Sequence, residues 1–552
     1  MIITPVGHNG KYNPSEQFPP QVFAANGFLA VSFDPPGFGE KAPGNDHFID
    51  GVRCYLGGHN PLGFFLADVC RAIDYAAGRA DTDLRGGVAV TGVSGGGFSS
   101  IGAAIVDPRV SVIGPSCFGL PDEDHPVRNG YAGCPETQWL GRFADGLGLE
   151  ELLIAARFVP TLLMTGRHDS IITVASMRRL ACGVKDAYRG AGLGERLALL
   201  VDDCGHAYTV AQAGAFVRWV RRWWNLSPRA PVQTVRGGPR LLKMEELQCR
   251  PAPGLTMARF AAADARRRPG SKNRAELMKL ARLDDMRPLR AVRGEPANLW
   301  THELTELSLR DGTDWELPAT QVRRLAAKGP EQVLIYFDAR GRWSALHQWG
   351  WLNRAVEFFA PSQRNLAAIS VDLPGWGDTR PTPSPFDVVG WGGVDRGLAY
   401  LSAATGFSLM ARRLHDAVRV LRHVRAGRPK RRVFLGGHGL GANIAALAAW
   451  LDGPVGGLVL TEPLVAFAEL ATAPKVAWPH DAYFPGILKI ADFPETLRLA
   501  RTPAIVVGPR DATMGLASRR LFENIPRCKV VPSALNAVSE TTLVHWLHAR
   551  LK

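Results

Sequence analysis

A serine flanked by glycines is the residue whose type and setting most directly predict chemistry in this chain. Residues 92–96 read Gly-Val-Ser-Gly-Gly and place Ser94 after the apolar run 88–91. The apolar residues that follow are typical of a buried helix face, so the segment predicts a strand, a tight turn and a helix, which is a nucleophile elbow. Such a turn exposes the serine hydroxyl and directs the next backbone amide, that of Gly95, at a developing oxyanion. Ser94 is therefore the predicted nucleophile.

A serine nucleophile needs a histidine base and a carboxylate that orients it. Asp169 follows a predicted strand at 161–165, and His206 follows the next predicted strand at 197–201. The chain order serine, acid, histidine is the order that hydrolases with this elbow use, each residue on a loop at the carboxyl end of a strand. We therefore predict a triad of Ser94, Asp169 and His206.

Other interpretations of these residues remain open in the sequence. Asp169 could instead be a purely structural N-cap of the helix predicted at 174–190, and His206 could be a histidine of a surface turn. His168 is beside the acid but on the wrong loop for the base, whereas Asp202 or Asp203 could serve as the acid. The chain order favours Asp169.

The loop at 7–11, after the first predicted strand, is expected to supply the second oxyanion donor, and we assign it to the backbone amide of Asn9. His8 is then expected to support this loop rather than act chemically. Glu136 lies in the irregular stretch 116–148, where it could contact substrate, although a solvated loop carboxylate is the favoured interpretation.

Strands and helices alternate along the chain, which predicts α/β architecture with mostly parallel sheets. In the first half, the predicted strands are 2–6, 28–33, 88–91, 110–113, 161–165 and 197–201, and the predicted helices are 19–25, 64–77, 174–190 and 208–224. Between the halves, short helices are predicted at 256–266 and 274–283, followed by antiparallel strands between 289 and 320.

The second half repeats the motifs of the first half in the same order, which predicts an internal duplication. Its elbow has Gly439 at the nucleophile position, and residues 533–536, Ser-Ala-Leu-Asn, stand where the histidine should be. Asp511 remains at the acid position. A carboxylate without nucleophile and base cannot run acyl transfer, so this half is predicted to be non-catalytic.

Composition excludes several classes of protein. The 552 residues carry a net charge of +14, but the arginines are scattered, so no nucleic-acid partner is predicted. No apolar run is long enough for a membrane span. The 8 cysteines show no metal-site spacing, and no metal or cofactor is predicted, although Cys117 and Cys134 could pair if the protein is exported.

The amino terminus leaves the localisation open. No signal-peptide pattern begins the chain, yet the first unit begins on what should be its third strand, so two leading strands are missing. Either the gene model starts at an internal methionine, or the chain is a fragment, or this edge of the sheet is lost. The oligomeric state is not predicted.

Five segments together resemble one known family. Residues 7–11, 34–40, 92–97, 134–136 and 166–169 resemble the acetyl xylan esterase-like branch of the α/β-hydrolases, in its tandem form with a degenerate second domain. The resemblance covers most of the chain. It implies a serine carboxylic-ester hydrolase, acting on small-molecule or acylated carbohydrate esters, without a metal or cofactor.

The expected organisation is therefore two tandem α/β-hydrolase domains, the first lacking its leading strands. Residues 1–226 are the predicted catalytic domain, 227–288 a linker with short helices, and 289–552 a degenerate, non-catalytic domain. The alternatives are a serine peptidase of the prolyl-oligopeptidase type and a non-catalytic carbohydrate-binding or scaffold protein.

Overall fold

The computed structural model contains two β-sheets, formed by the first and second halves of the chain. It describes residues 1–8, 10–41, 47–118, 133–227, 230–233, 235–249, 256–267, 270–299, 301–325, 330–347, 350–357, 365–382, 393–428 and 431–551. None of the helices in these ranges is long and apolar enough to cross a membrane.

The first sheet has six strands in the order β2-β1-β3-β4-β5-β6, and all of its pairings are parallel. Its strands are β1 (Ile2–Pro5), β2 (Ala30–Phe33), β3 (Val88–Val93), β4 (Val110–Ser116), β5 (Thr161–Gly166) and β6 (Leu197–Asp202). The helices of this half are α1 (Pro14–Ala25), α2 (His47–Leu56), α3 (Leu62–Ala77), α4 (Gly95–Val106), α5 (Leu149–Ala155), α6 (Val174–Gly190) and α7 (Val210–Trp223). Because parallel strands end at one edge of a sheet, the loops after β1, β3, β5 and β6 lie on the same side.

The segment between the sheets contains three short helices, α8 (Met244–Leu247), α9 (Met257–Arg267) and α10 (Arg274–Leu280). The second sheet has the order β16-β15-β14-β13-β11-β12-β10-β9-β7, with β8 paired to β9. Its strands are β7 (Arg290–Arg293), β8 (Ala297–Leu299), β9 (His302–Arg310), β10 (Glu316–Arg324), β11 (Gln332–Asp338), β12 (Leu366–Val371), β13 (Val433–His438), β14 (Leu458–Thr461), β15 (Ala504–Val507) and β16 (Cys528–Val531). The helices of this half are α11 (Trp351–Glu357), α12 (Val394–Ala404), α13 (Leu409–Arg425), α14 (Leu440–Asp452), α15 (Phe467–Thr472), α16 (Phe493–Ala500) and α17 (Ala537–His548).

The two sheets share one strand order. From β16 to β12 the second sheet has the same strand order as the first sheet from β6 to β2. In each half an aspartate anchors a loop, which follows β1 in the first half and β11 in the second. Asp34 accepts a hydrogen bond from the Lys11 amide at 2.7 Å, and Asp372 accepts one from the Arg342 amide at 2.6 Å. Within the described ranges the first sheet ends at β2, whereas the antiparallel strands β10, β9 and β7 continue the second sheet beyond β12.

Most predicted elements are present, and in the first half two α-helices were missed. The helix predicted at 174–190 is α6, and the antiparallel strands expected between 289 and 320 are β7, β9 and β10. Helices α2 and α5 were not predicted. In α2 eight of the ten residues are buried, and they include His47, Asp50 and Arg53, so polar residues of this helix lie inside the protein where a surface helix would expose them.

Helix α2 is buried because it lies between the two halves, where it shares a hydrophobic cluster with residues of the second half. Arg53 donates a hydrogen bond to the Ala473 carbonyl at 2.8 Å, and the Gly486 amide donates one to the Tyr55 carbonyl at 2.8 Å. The second half also holds the 141–143 segment, because Gly141 donates to the Ala403 carbonyl at 2.9 Å. The two halves are thus joined by backbone hydrogen bonds as well as apolar packing.

Candidate active site

Ser94 occupies the sharp turn between β3 and α4. Its backbone has φ 56° and ψ −121°, in the positive-φ region that a non-glycine residue rarely adopts. A Cβ atom at Gly92 or Gly96 would lie 2.4 Å or 2.1 Å from the Pro5 carbonyl oxygen. The turn therefore requires glycine on both sides of the serine, as the sequence predicts for an elbow.

Asp169 and His206 form a hydrogen-bonded pair on the loops after β5 and β6. His206 Nδ1 lies 2.8 Å from Asp169 Oδ2, while Asp169 Oδ1 accepts the backbone amides of Ile171 and Ile172 at 2.8 Å each. Burial alone would raise the pKa of Asp169, but the hydrogen bond and charge of His206 and the two amides lower it below its usual value. Asp169 is therefore an ionised carboxylate held against the ring of His206.

The competing residues lie apart from this pair. His168 Nε2 lies 2.9 Å from Asp203 Oδ1, and both side chains are exposed. Asp202 accepts a hydrogen bond from the Thr209 hydroxyl, at the start of α7. Within the described residues, no hydrogen bond joins His206 to His168, Asp202 or Asp203.

The histidine in contact with Ser94 is His8. Its Nδ1 lies 3.0 Å from Ser94 Oγ, whereas the described residues include no hydrogen bond between Ser94 and His206. His8 therefore contacts the nucleophile itself in addition to belonging to this loop, and its chemical role stays a prediction. The signal for this contact was present in the sequence, because His8 follows β1, and β1 pairs with the strand that leads to Ser94.

The other ring nitrogen of His8 faces two further groups. His8 Nε2 lies 3.0 Å from Glu136 Oε1 and 3.0 Å from Cys134 Sγ. Burial works to lower the pKa of His8, but the charges and hydrogen bonds of Cys134 and Glu136 raise it well above its usual value. Ser94, His8 and Glu136 thus form a continuous hydrogen-bonded chain.

Glu136 is not the solvated loop carboxylate that the sequence favoured, because it is 1% exposed. Its turn is held from α2, where the Tyr55 hydroxyl lies 2.8 Å from the Gln138 carbonyl and 3.2 Å from the Pro135 carbonyl. The carboxylate oxygen Oε2 is buried and accepts no hydrogen bond within the described ranges. The role of Glu136 toward substrate remains a prediction.

The predicted oxyanion donors are only partly described. Gly95 begins α4, and a Cβ atom there would lie 3.2 Å from His8 Cε1 and 3.3 Å from Glu136 Oε1. Its backbone is therefore beside both side chains at the nucleophile. Asn9 lies outside the described residues, and both oxyanion assignments stay predictions.

His47, the first residue of α2, completes this group of side chains. Its ring centroid lies 4.9 Å from that of His8, 4.4 Å from Phe38 and 3.9 Å from Phe48. Burial lowers the pKa of His47 well below its usual value, helped by the neighbouring charges of His8, Arg396 and His480. His47 is a neutral imidazole at the edge of the site.

Two clusters of potential metal ligands lie at this edge of the sheet. The first cluster consists of His8, His47, Cys134 and Glu136, and the second consists of Cys117, Asp169 and His206. Within each cluster the potential ligand atoms all lie within 4.8 Å of one another. No disulfide joins Cys117 to Cys134. The sequence shows no metal-ligand spacing at these positions because the members of each cluster are distant in sequence and come together on neighbouring loops.

The elbow of the second half keeps the turn and loses the side chains. Gly439 has φ 59° and ψ −130°, close to the angles of Ser94, and it lies between β13 and α14. Ala339 occupies the position of His8, one residue before the loop arginine that corresponds to Asn9. A Cβ atom at Gly439 would lie 3.7 Å from Ala339 Cβ. The contacting pair His8 and Ser94 is thus replaced at both positions.

The other catalytic positions of the second half have structural roles. Asp511 Oδ1 accepts the amides of Thr513 and Gly515 at 2.8 Å and 2.9 Å. Asn536 is the N-cap of α17 and accepts the Val538 and Ser539 amides at 3.1 Å and 3.0 Å. These side chains stabilise a turn and a helix end.

Comparison with known proteins finds similar solved structures only. No family model and no curated protein sequence matches the chain. A proposed acetyl xylan esterase from Bacteroides fragilis is 15% identical, with a TM-score of 0.42, and the match covers 55% of this chain and 97% of that one. Acetyl xylan esterase from Paenibacillus sp. R4 is 15% identical with a TM-score of 0.36, covering 52% and 98%. Acetyl xylan esterase 1 from Thermoanaerobacterium sp. JW/SL YS485 is 15% identical with a TM-score of 0.36, covering 52% and 97%.

Proposed function

We propose that this protein hydrolyses carboxylic esters through an acyl-enzyme formed at Ser94. The observation that carries the proposal is the strained, positive-φ turn that presents the Ser94 hydroxyl 3.0 Å from His8, at the sheet edge whose later loops carry the pair of Asp169 and His206. Backbone strain of this kind persists where the surrounding structure holds it, and it clusters at reactive residues. The resemblance in motifs favours short acyl groups on carbohydrates as the substrate class.

In the proposed mechanism His206 is the general base. It takes the Ser94 proton as the hydroxyl attacks the ester carbonyl, and it then protonates the departing alcohol. Asp169 orients the imidazole and stabilises its charge, as the 2.8 Å pair allows. Catalytic hydrogen bonds are often longer in free enzymes and tighten with substrate, so the missing bond between His206 and Ser94 is compatible with this role.

The backbone amides of Gly95 and Asn9 are the proposed oxyanion donors. His8 Nδ1, at 3.0 Å from Ser94 Oγ, is placed to donate a hydrogen bond to the serine oxygen when the ring carries its proton there. We infer that His8 positions the nucleophile and adds positive potential beside the oxyanion. Water then attacks the acyl-enzyme with His206 as base.

We also propose that residues 289–552 are a non-catalytic copy of the first α/β-hydrolase unit. The shared strand order and the matching elbow angles support a duplication. The contacts of this half with α2 and with Gly141 support a bracing role for the active-site loops.

A covalent probe tests the proposed function directly. A fluorophosphonate should label the intact protein once, at Ser94, and Ser94→Ala protein should remain unlabelled. Absence of labelling in folded protein would favour a non-catalytic binding protein. Faster turnover of peptides than of acetyl esters would favour a peptidase.

A further inference from the structure

We propose that His8, His47, Cys134 and Glu136 form a binding site for a divalent transition-metal ion of the Zn²⁺ class, directly beside Ser94. Two imidazoles, a thiolate and a carboxylate are ligand types that Zn²⁺ takes in proteins. The thiolate and the carboxylate would also balance the two positive charges of the ion. None of these residues adjoins another in sequence, so the site exists only in the folded chain.

The separations of the donor atoms suit one ion. Ligand atoms around a tetrahedral Zn²⁺ lie roughly 3.3–3.7 Å apart, given metal bonds of about 2.0–2.3 Å. In the structure the four donors lie within 4.8 Å of one another, and His8 Nε2 is 3.0 Å from both Cys134 Sγ and Glu136 Oε1. Small side-chain adjustments would therefore close the site around an ion.

A second observation points to a ligand in this place. Glu136 is 1% exposed, and its Oε2 accepts no hydrogen bond from the residues that the structure describes. A buried carboxylate oxygen without a donor is unfavourable. His8 Nε2 has a single proton to offer and faces both Cys134 and Glu136, whereas a cation between them would bind all three groups.

The surroundings hold these ligands in place. The Tyr55 hydroxyl binds the carbonyls of Pro135 and Gln138, and the Cys134 amide donates to Thr137 Oγ1 at 3.0 Å. Supporting hydrogen bonds of this kind orient ligands in metal sites. The cysteine and the glutamate therefore sit on one braced turn, opposite His8.

Metal binding would fix the protonation of His8. With Nε2 bound to the ion, the ring proton must be on Nδ1, and this N–H then donates to Ser94 Oγ. This inference rests on the proposed function, in which His206 remains the general base. The ion would tune the nucleophile without contacting the substrate.

Cobalt substitution tests the site without an activity readout. Chelator-treated full-length protein is titrated with Co²⁺, and we expect one equivalent to bind with visible bands of four-coordinate cobalt and a near-ultraviolet thiolate charge-transfer band. Added Zn²⁺ should displace the spectrum. Ser94→Ala protein should give the same spectrum, which separates this test from the proposed ester hydrolysis.

Three cysteine variants locate the thiolate. Cys134→Ser should lose the charge-transfer band, whereas Cys182→Ser, at an exposed cysteine of α6, and Cys117→Ser, in the second cluster, should retain it. Glu136→Gln should keep the band and weaken Co²⁺ binding roughly tenfold or more. The proposal is overturned if no thiolate band forms, if it persists in Cys134→Ser, if it is lost in Cys117→Ser, or if Glu136→Gln binds as tightly as the parent.

Discussion

His8 Nδ1 lies 3.0 Å from Ser94 Oγ, so the histidine in contact with the nucleophile comes from the loop after β1. The equivalent positions of the second half are Ala339 and Gly439, which also face each other. The two side chains that touch in the first half are thus both absent from the second. This parallel replacement suggests that His8 and Ser94 act as a pair.

Ser94→Ala is expected to lower kcat on p-nitrophenyl acetate roughly 10³-fold or more, because the nucleophile is removed and only binding and oxyanion contacts remain. Initial rates on purified, folded protein measure this, with circular dichroism as the control. The parent protein should cleave long-chain esters more slowly than acetate. Unchanged turnover in the variant would remove Ser94 from the mechanism.

A pair of variants distinguishes the proposed roles of His206 and His8. His206→Ala should lower kcat about 10³-fold, as expected for loss of a general base, and His8→Ala should lower it about 10- to 100-fold, as expected for loss of a supporting donor. Rates on the same acetate ester at saturating substrate make the comparison. A larger effect at His8 than at His206 would identify His8 as the base and refute the assignment.

Glu16→Gln should change how stability depends on pH. Glu16 accepts the Gly7 amide at 2.9 Å, and burial raises its pKa from 4.5 to about 8. A raised folded-state pKa means that its stabilising contribution is complete below the unfolded pKa and is lost as pH rises towards about 8. The glutamine keeps the acceptor and cannot ionise, so its Tm relative to the parent should rise by at least about 3 °C between pH 5 and pH 8. Parallel melting curves would contradict this.

Asp511→Ala is expected to leave kcat on small esters within about twofold, because Asp511 accepts hydrogen bonds from the amides of Thr513 and Gly515 and from the Thr513 hydroxyl, all in its own turn. Asp169→Ala is the matched comparison at the equivalent position of the first half, and it should lower kcat at least about 10²-fold. Both proteins are assayed alongside thermal melting. Loss of turnover in folded Asp511→Ala would reveal chemistry in the second half.

The sequence predicts the parts of the site that depend on local pattern. The elbow at Ser94 and the pairing of Asp169 with His206 follow from glycine spacing and from loops after consecutive parallel strands. Both can be predicted from pattern and strand order, although the elbow packs against Pro5 and the pair joins two different loops. The chain order alone therefore brings these residues to one edge of the sheet.

The contacts of Glu136 could not be predicted in this way. Glu136 and His8 are 128 residues apart and meet because α2 holds the turn at 134–138. Helix α2 itself is mostly buried, and its buried residues include His47, Asp50 and Arg53, so the polarity of its residues does not show which faces meet the rest of the chain. From the sequence alone, a carboxylate in such a turn is therefore predicted to be solvated.

The contacts of helix α2 limit how freely one half of the protein could be exchanged for another. Its one face binds the turn of Glu136 through Tyr55, and another binds the second half through Arg53 and the Ala473 carbonyl. A foreign partner half could replace the native one only if it reproduced the acceptors and the apolar surface that α2 meets. A replacement half is therefore constrained at this seam and also at the turn around Gly439, where a Cβ atom at Gly437 or Gly441 would lie 2.4 Å or 2.0 Å from backbone atoms.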